Sequence, residues 1–233
     1  MEKVFFYPVR LSSKRILINL ISDPIMTVTP RPIEQLVRDR SPLKGAEQQV
    51  LREWIAEWKF HATEFTSLAQ PLIRGDLDAL QRDHHELQAA HGPHEAMLIY
   101  ENLRETPLCM PAMEAVIAGA QYFNSCKSEG GEYESCLRYL AEMGVSVDGE
   151  DVAGFTAFMR ASQTSQSRMD LAQVLLDLGA DVNHRSRFGG VALHEALMAQ
   201  DRRAVAFLRR NGAEMDIKDY DGVSPRDIVA LIL

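Results

Sequence analysis

Two adjoining pieces of sequence decide the fold: Leu175-Leu176-Asp177-Leu178-Gly179-Ala180-Asp181-Val182-Asn183 and, shortly after, Gly189-Gly190-Val191-Ala192-Leu193-His194. In the first, Val174, Leu175 and Leu178 fall on one face at i, i+1 and i+4, the spacing of an amphipathic helix. Gly179 follows directly, and a glycine just past a helix closes the last turn in the left-handed conformation at little cost. In the second, Leu193, Ala196 and Leu197 start a new apolar face after a connector of about ten residues.

Working outward, the same helix ending recurs as Tyr139-Leu140-Ala141-Glu142-Met143-Gly144 and as Phe207-Leu208-Arg209-Arg210-Asn211-Gly212-Ala213. The three glycines are 35 and 33 residues apart. A second marker, Gly154-Phe155-Thr156-Ala157, then Gly189 to His194, then Gly222-Val223-Ser224-Pro225, keeps the same two spacings. Thr or Ser at the helix start supplies a capping hydroxyl, and Pro after it is pre-set for the first helical position. Each period therefore predicts a cap, a first helix, a short turn, a second helix, a glycine stop and a hairpin-like connector. Neither helix can hide its apolar stripe alone, so successive units must stack.

These residues resemble the ankyrin repeat, whose Gly-x-Thr-Pro-Leu-His start and Leu-Leu-x-x-x-Gly-Ala end are met most fully between Gly189 and Gly212. The resemblance implies that His194 hydrogen-bonds the connector backbone and is no metal ligand. It covers residues 135–233 well, 66–134 loosely and 1–60 not at all. The unit at Thr156 has Phe158-Met159 where Leu-His is expected, with about two extra residues between its helices. Thr106-Pro107-Leu108-Cys109 reads as an earlier start closed by Gly144, which leaves an insertion of about 17 residues centred on 125–132. Thr66-Ser67-Leu68 and Gly75-Asp76 read as an opening unit whose second helix carries Arg82 and Asp83 in place of Leu-Leu. The last unit, from Gly222, holds one helix, with Ile228, Val229, Leu231 and Ile232 expected to be buried. The expected fold is mostly α: a helix-pair solenoid over 61–233, with a long insertion near 120–134 and an N-terminal capping segment over 1–60.

Within the first sixty residues, 4–9 and 16–21 read as short extended pieces, and Pro24, Pro30 and Pro32 punctuate a loop. Ser41-Pro42 then opens a helix whose stripe is Leu43, Ala46, Val50, Leu51, Trp54, Ile55 and Trp58. Trp54 and Trp58 share a face and are expected to seal the first repeat. The net charge of −8 divides into +3 over residues 1–60 and −11 over 61–233. An array that acidic is a poor match for phosphate backbones, which argues against direct nucleic-acid binding. No apolar run is long enough for a membrane span, and Ile16–Ile21 is too short to read as a signal peptide. Three cysteines suggest a reducing compartment. The expected location is the cytoplasm, or a host cytosol for a secreted effector.

Catalytic patterns are sparse. His84, His85, His91 and His94 cluster in sequence, but Gly92-Pro93 separates the last two, and the expected setting is a solvated inter-repeat loop. Cys126 and Cys136 are ten apart, and Cys136 occupies an apolar helix position, as a buried thiol would. Gly130-Gly131 and Gly189-Gly190 lack the strand and lysine of a phosphate loop, and there is no Gly-x-Ser-x-Gly elbow. Neither enzymatic activity, cofactor nor metal is expected. The sequence predicts instead a partner protein, bound, sequestered or scaffolded by the connectors and first helices on the concave side. Two rival readings are a hydrolase or metal site around His84–His94, and an acidic mimic of nucleic acid. The residues expected at the binding face are Val152, Phe155, Arg185, Arg187, Phe188, Lys218 and Tyr220 from the connectors, with Arg160, Glu195 and Met198 from the first helices. Glu150, Ala153 and Asp221 flank them, and the rings of Phe188 and Tyr220 are read as projecting tips.

Overall fold

The computed structural model describes residues 35–36, 39, 41–43, 45–57, 65–105, 108–125, 131–163 and 168–232. The extended pieces expected at 4–9 and 16–21, Trp58, Cys126, the Thr106-Pro107 pair and the side chain of Ile232 lie outside them. The described helices are α1 (Ala46–Glu57), α2 (Gln70–Arg74), α3 (Leu77–His91), α4 (Pro93–Glu101), α5 (Ala112–Ser125), α6 (Tyr133–Glu142), α7 (Ala157–Ser162), α8 (Met169–Asp177), α9 (Ala192–Met198), α10 (Arg202–Arg210) and α11 (Pro225–Ile232). They form helix pairs, α2/α3, α5/α6, α7/α8 and α9/α10, followed by α11. First helices pack in series from α2 through α5, α7 and α9 to α11, and α3, α6 and α8 form a parallel second row. The stacked helical hairpins read from the sequence are the observed architecture.

The glycine markers take the conformations their positions require. Gly144, Gly179 and Gly212 have φ of 92, 98 and 91°. After α8, the Gly179 and Ala180 amides return to the carbonyls of Leu176 and Leu175. Gly154, Gly189 and Gly222 are also left-handed, at 74, 81 and 81°, but the first two meet a second constraint. A Cβ at Gly154 would stand 2.6 Å from the Arg187 amide nitrogen, and one at Gly189 would stand 2.6 Å from that of Tyr220. These are the points where consecutive connectors touch backbone to backbone. The Arg187 amide donates to the Ala153 carbonyl at 3.0 Å, and the Tyr220 amide to that of Phe188 at 3.3 Å. One unit earlier, the Val152 amide donates to Leu108 at 2.7 Å.

The caps follow the sequence as well. The Thr156 hydroxyl accepts from the Met159 amide, opening α7. At α11, Ser224 and Asp227 cap each other reciprocally, each side chain accepting from the other's amide. Asp76, unmarked in the sequence reading, caps α3 through the Ala79 amide. His194 plays its implied part. Its Nδ1 accepts from the Val191 amide at 3.1 Å, so Nε2 carries the proton and donates to the Val223 carbonyl of the next connector, also at 3.1 Å.

Three expectations need correction. The helix read from Thr106-Pro107 begins at Ala112, because Glu105 and Met110 exchange both backbone hydrogen bonds at 2.9 Å and close a loop first. Cys109 adopts a φ of 56° within that loop. The buried Glu105 carboxylate also accepts from the Thr66 amide, tying the loop to the opening unit. Much of the expected insertion is then absorbed by α5, which runs on to Ser125. The histidine stretch forms helices and no solvated loop: His84, His85 and His91 belong to α3 and His94 to α4. Finally, Leu231 is 72% exposed, and Ile228 and Val229 are half-buried.

The core is continuous along the array. Met113, Ala115, Val116, Ile117, Ala118 and Ala120 of α5 are all buried, because this helix is covered by α2, α6 and α7 together. Its Gly119 lies so close to α2 that a Cβ would overlap the Ile73 carbonyl. In the segment before the repeats, Leu36, Leu43 and Leu51 are fully buried, and Trp54 is half-buried against the core.

Gly189 and Gly222 separate two effects, since both have positive φ but only Gly189 faces a neighbouring backbone. Gly222→Ala is expected to cost about 1 kcal/mol of unfolding free energy, from backbone strain alone. Gly189→Ala is expected to cost roughly 1–3 kcal/mol more, because the connector must move off Tyr220. Urea unfolding of the two variants followed by circular dichroism checks the difference, and equal costs would contradict the close approach.

Candidate functional site

The connectors and first helices that were expected to make one open face divide into a covered part and an open part. In the covered part, Val152 is fully buried, and Arg160, Arg187 and Phe188 are 6, 3 and 4% exposed. Phe155 is half-buried, with its ring centroid 6.3 Å from that of Phe188. Val152, Arg160, Arg187 and Phe188 are thus not the accessible positions that register predicted. Each serves the fold, for a different reason.

Arg160 is withdrawn from the surface by two acids. Its guanidinium lies 2.7 Å from a Glu114 oxygen of α5 and 2.7 Å from a carboxylate oxygen of Asp151, and all three side chains are buried. Asp151 in turn accepts from the Ala153 and Phe155 amides at 2.7 and 2.9 Å, which shapes the connector. One arginine thereby joins a first helix, the preceding first helix and a connector. Two carboxylates facing one cation in a dry site cannot both be comfortably ionised. Burial, reinforced by Asp151, raises the pKa of Glu114 against the pull of Arg160. Its second oxygen is buried without a hydrogen-bond partner, a position suited to a proton.

Arg187 is consumed by backbone carbonyls. It donates from Nη1 to Val152 at 2.6 Å, from Nε to Ser41 at 3.0 Å and from Nη2 to Asp39. Its own carbonyl accepts from the Leu43 amide at 2.9 Å. Phe188 is covered by the same N-terminal segment: the Arg52 guanidinium of α1 sits 4.1 Å from its ring centroid. Arg52 also favours the charged form of Glu195, a half-buried residue of α9 whose pKa burial raises. The segment around Asp39–Glu57 therefore reaches the connector between the third and fourth helix pairs.

The open part holds the remaining expected residues. Arg185 and Lys218 are exposed, Met198 is 38% exposed and Tyr220 is 42% exposed. Three of them touch. Arg185 donates to the Gly189 and Lys218 carbonyls and lays its guanidinium 5.2 Å from the centroid of the Tyr220 ring. An aromatic side chain and a cation are thus held in place at an accessible edge. Glu195 and Met198 stand on the first helix of the same unit.

Sequence reasoning missed Asp151, Glu114 and Arg52. Asp151 had a signal, because Asp151, Ser186 and Asp219 recur at the 35- and 33-residue spacings. All three side chains accept amides from the residues just beyond them: Asp219 from Asp221 and Val223, and Ser186 from Phe188. Asn183 also stitches units together, accepting from the Glu214 amide and donating to the Gly212 carbonyl. Arg52 had no such signal.

The histidine group gives no support to a reactive centre. His84 is buried, with Nδ1 2.7 Å from the Tyr139 hydroxyl and its ring edge-on to Tyr100 and Tyr139. Burial, and then the neighbouring His85, hold its pKa below the ordinary value. Among the described residues, no three His, Cys, Asp or Glu side chains converge as metal ligands would. Burial pushes the Cys136 thiol up to about 12, so the thiolate needed for nucleophilic chemistry is suppressed. No described helix is long and apolar enough to cross a membrane.

Residues 160–209, from α7 to α10, match the family described as ankyrin repeats (many copies). The chain is 32% identical over 133 residues to human neurogenic locus notch homolog protein 2, an alignment covering 55% of this chain and 5% of that protein. It is 33% identical over 96 residues to an ankyrin repeat protein of fowlpox virus, covering 40% of this chain and 28% of the relative. An ankyrin repeat protein of Acanthamoeba polyphaga mimivirus is 29% identical over 115 residues, covering 47% and 16%. The chain therefore spans less than a third of the length of each of these relatives.

Two measurements test the buried triad. Arg160→Ala leaves two buried acids facing each other and is expected to destabilise the protein by about 3–5 kcal/mol in chemical unfolding. Because Glu114 has a higher pKa folded than unfolded, folding takes up a proton; its contribution is complete in acid and is lost as pH rises through the folded value. Glu114→Gln is expected to fold normally and to flatten the fall in thermal midpoint as pH is raised through neutrality. An unchanged slope would place the proton elsewhere.

Proposed function

The chain belongs to the ankyrin-repeat proteins, and from that premise we propose that it binds a partner protein, sequestering or scaffolding it, and catalyses no reaction. Ankyrin repeats are in general protein-binding modules. The observation that carries the reading here is the exposed cluster of Arg185, Lys218 and Tyr220. Stacking on Arg185 and the bond to the Lys218 carbonyl restrain side chains that would otherwise be mobile, so less conformational entropy is lost when a partner closes over them. Tyrosine and arginine are also the residue types that most often carry binding energy at protein interfaces. Met198 adds an adaptable apolar contact from α9, and Glu195 an acid beside it.

A photoreactive amino acid at position 220 is expected to give a discrete crosslinked adduct in extracts of the native source. The same group at Arg203, exposed on α10, is expected to give none. Once the adduct identifies the partner, Tyr220→Ala combined with Arg185→Ala is expected to weaken binding by roughly 10-fold or more, equivalent to ~1.4 kcal/mol. The helical signal should not change. Equal crosslinking at both positions, or full affinity in the double variant, would take the site away from this cluster.

A further inference from the structure

The chain carries, N-terminal to its repeats, a segment that treats the array as a ligand would. We infer that Asp39–Glu57 is a built-in ligand of the recognition face, docked in cis on its inner half, where it withholds Arg187 and Phe188 from any other partner. This rests on the reading of that face as a protein-binding surface and extends it to regulation.

The argument starts from where the segment docks. It precedes the opening helix pair in the chain, yet its bonds are made at the connector between the third and fourth pairs, 146 and 148 residues away at Ser41 and Asp39. A segment that only sealed the apolar end of the array would have no reason to reach its middle. The contacts are also of the kind a groove makes with a bound peptide. The stretch before the helix is read through its backbone, with the carbonyls of Asp39 and Ser41 bonded to the Arg187 side chain and the Leu43 amide bonded to the Arg187 carbonyl. Leu43 and Leu51 supply the buried apolar anchors. The helix that follows places Arg52 over Phe188 and near Glu195, a cation on an aromatic face with an acid beside it.

The bonds joining connector to connector, from Arg187 to Ala153 and from Tyr220 to Phe188, involve the repeats alone. So does the bond from Arg187 Nη1 to Val152. Release of the segment leaves these bonds in place and uncovers the Phe188 ring and the Arg187 side chain, which Arg52 and the Asp39 and Ser41 carbonyls now cover. That is the composition of an interface core. A competing partner would offer the same pattern: a stretch with accessible carbonyls, then an amphipathic helix with leucine followed by arginine.

The full chain with a protease site inserted between residues 58 and 64 tests this. After cleavage, the N-terminal piece is expected to co-elute with the array and to be displaced, saturably, by a synthetic peptide of residues 37–59. The array's helical signal should persist after displacement. Replacing the residue equivalent to Arg52 in the peptide (Arg52→Ala) is expected to weaken displacement about 2- to 30-fold, the range for a cation on an aromatic face. Loss of the piece with no rebinding of the peptide to a folded array would overturn the inference. So would collapse of the array when the piece leaves, since the segment would then be part of the core. Neither result bears on crosslinking at position 220, which requires no release, so the two readings fail separately.

Discussion

The contact between consecutive connectors governs everything else in this molecule. Each helix pair has an apolar stripe too narrow to bury alone, so units must stack, and the stacking is fixed by main-chain bonds from Val152 to Leu108, Arg187 to Ala153 and Tyr220 to Phe188. Those bonds require backbones to approach within reach of each other. At two of the junctions only a glycine leaves room, and that glycine must also hold a left-handed conformation. The period of the sequence is the period of this requirement.

Close stacking has an electrostatic consequence. Side chains that would point to solvent in an isolated helical hairpin are enclosed by the next unit, and charged ones then need partners. Arg160 finds Glu114 and Asp151, and Arg187 finds backbone carbonyls. Two of the cations most suited by type to meet a partner are therefore spent inside the molecule. Among the described residues of the expected face, Arg185, Met198, Lys218 and Tyr220 remain accessible.

The covered and open halves give the face an unusual division. Its inner half is covered by Arg52 and the backbone around Asp39–Leu43, and its outer half presents an ordered tyrosine and arginine. If the face binds a partner as proposed, a surface divided this way can respond at one end while the other stays occupied by a segment of the same chain.

Local chemistry was legible in the sequence because it is repeated. Gly179 and its equivalents, the Thr156 and Ser224 caps, and the His194 bridge each follow from a residue's own conformational or hydrogen-bonding preference, and a 33- to 35-residue period makes them visible together. Asp151, Ser186 and Asp219 were equally legible in principle, through the same spacing. The tertiary structure alone decided which side chains at the face are open. Register places Phe188 and Tyr220 at equivalent tips, yet one is buried and the other is not. The difference comes from Arg52, which lies far away in sequence, obeys no period and is brought to Phe188 only by the folded path of the chain. Burial depends on what covers a residue, and nothing in a residue's own neighbourhood in sequence encodes that cover.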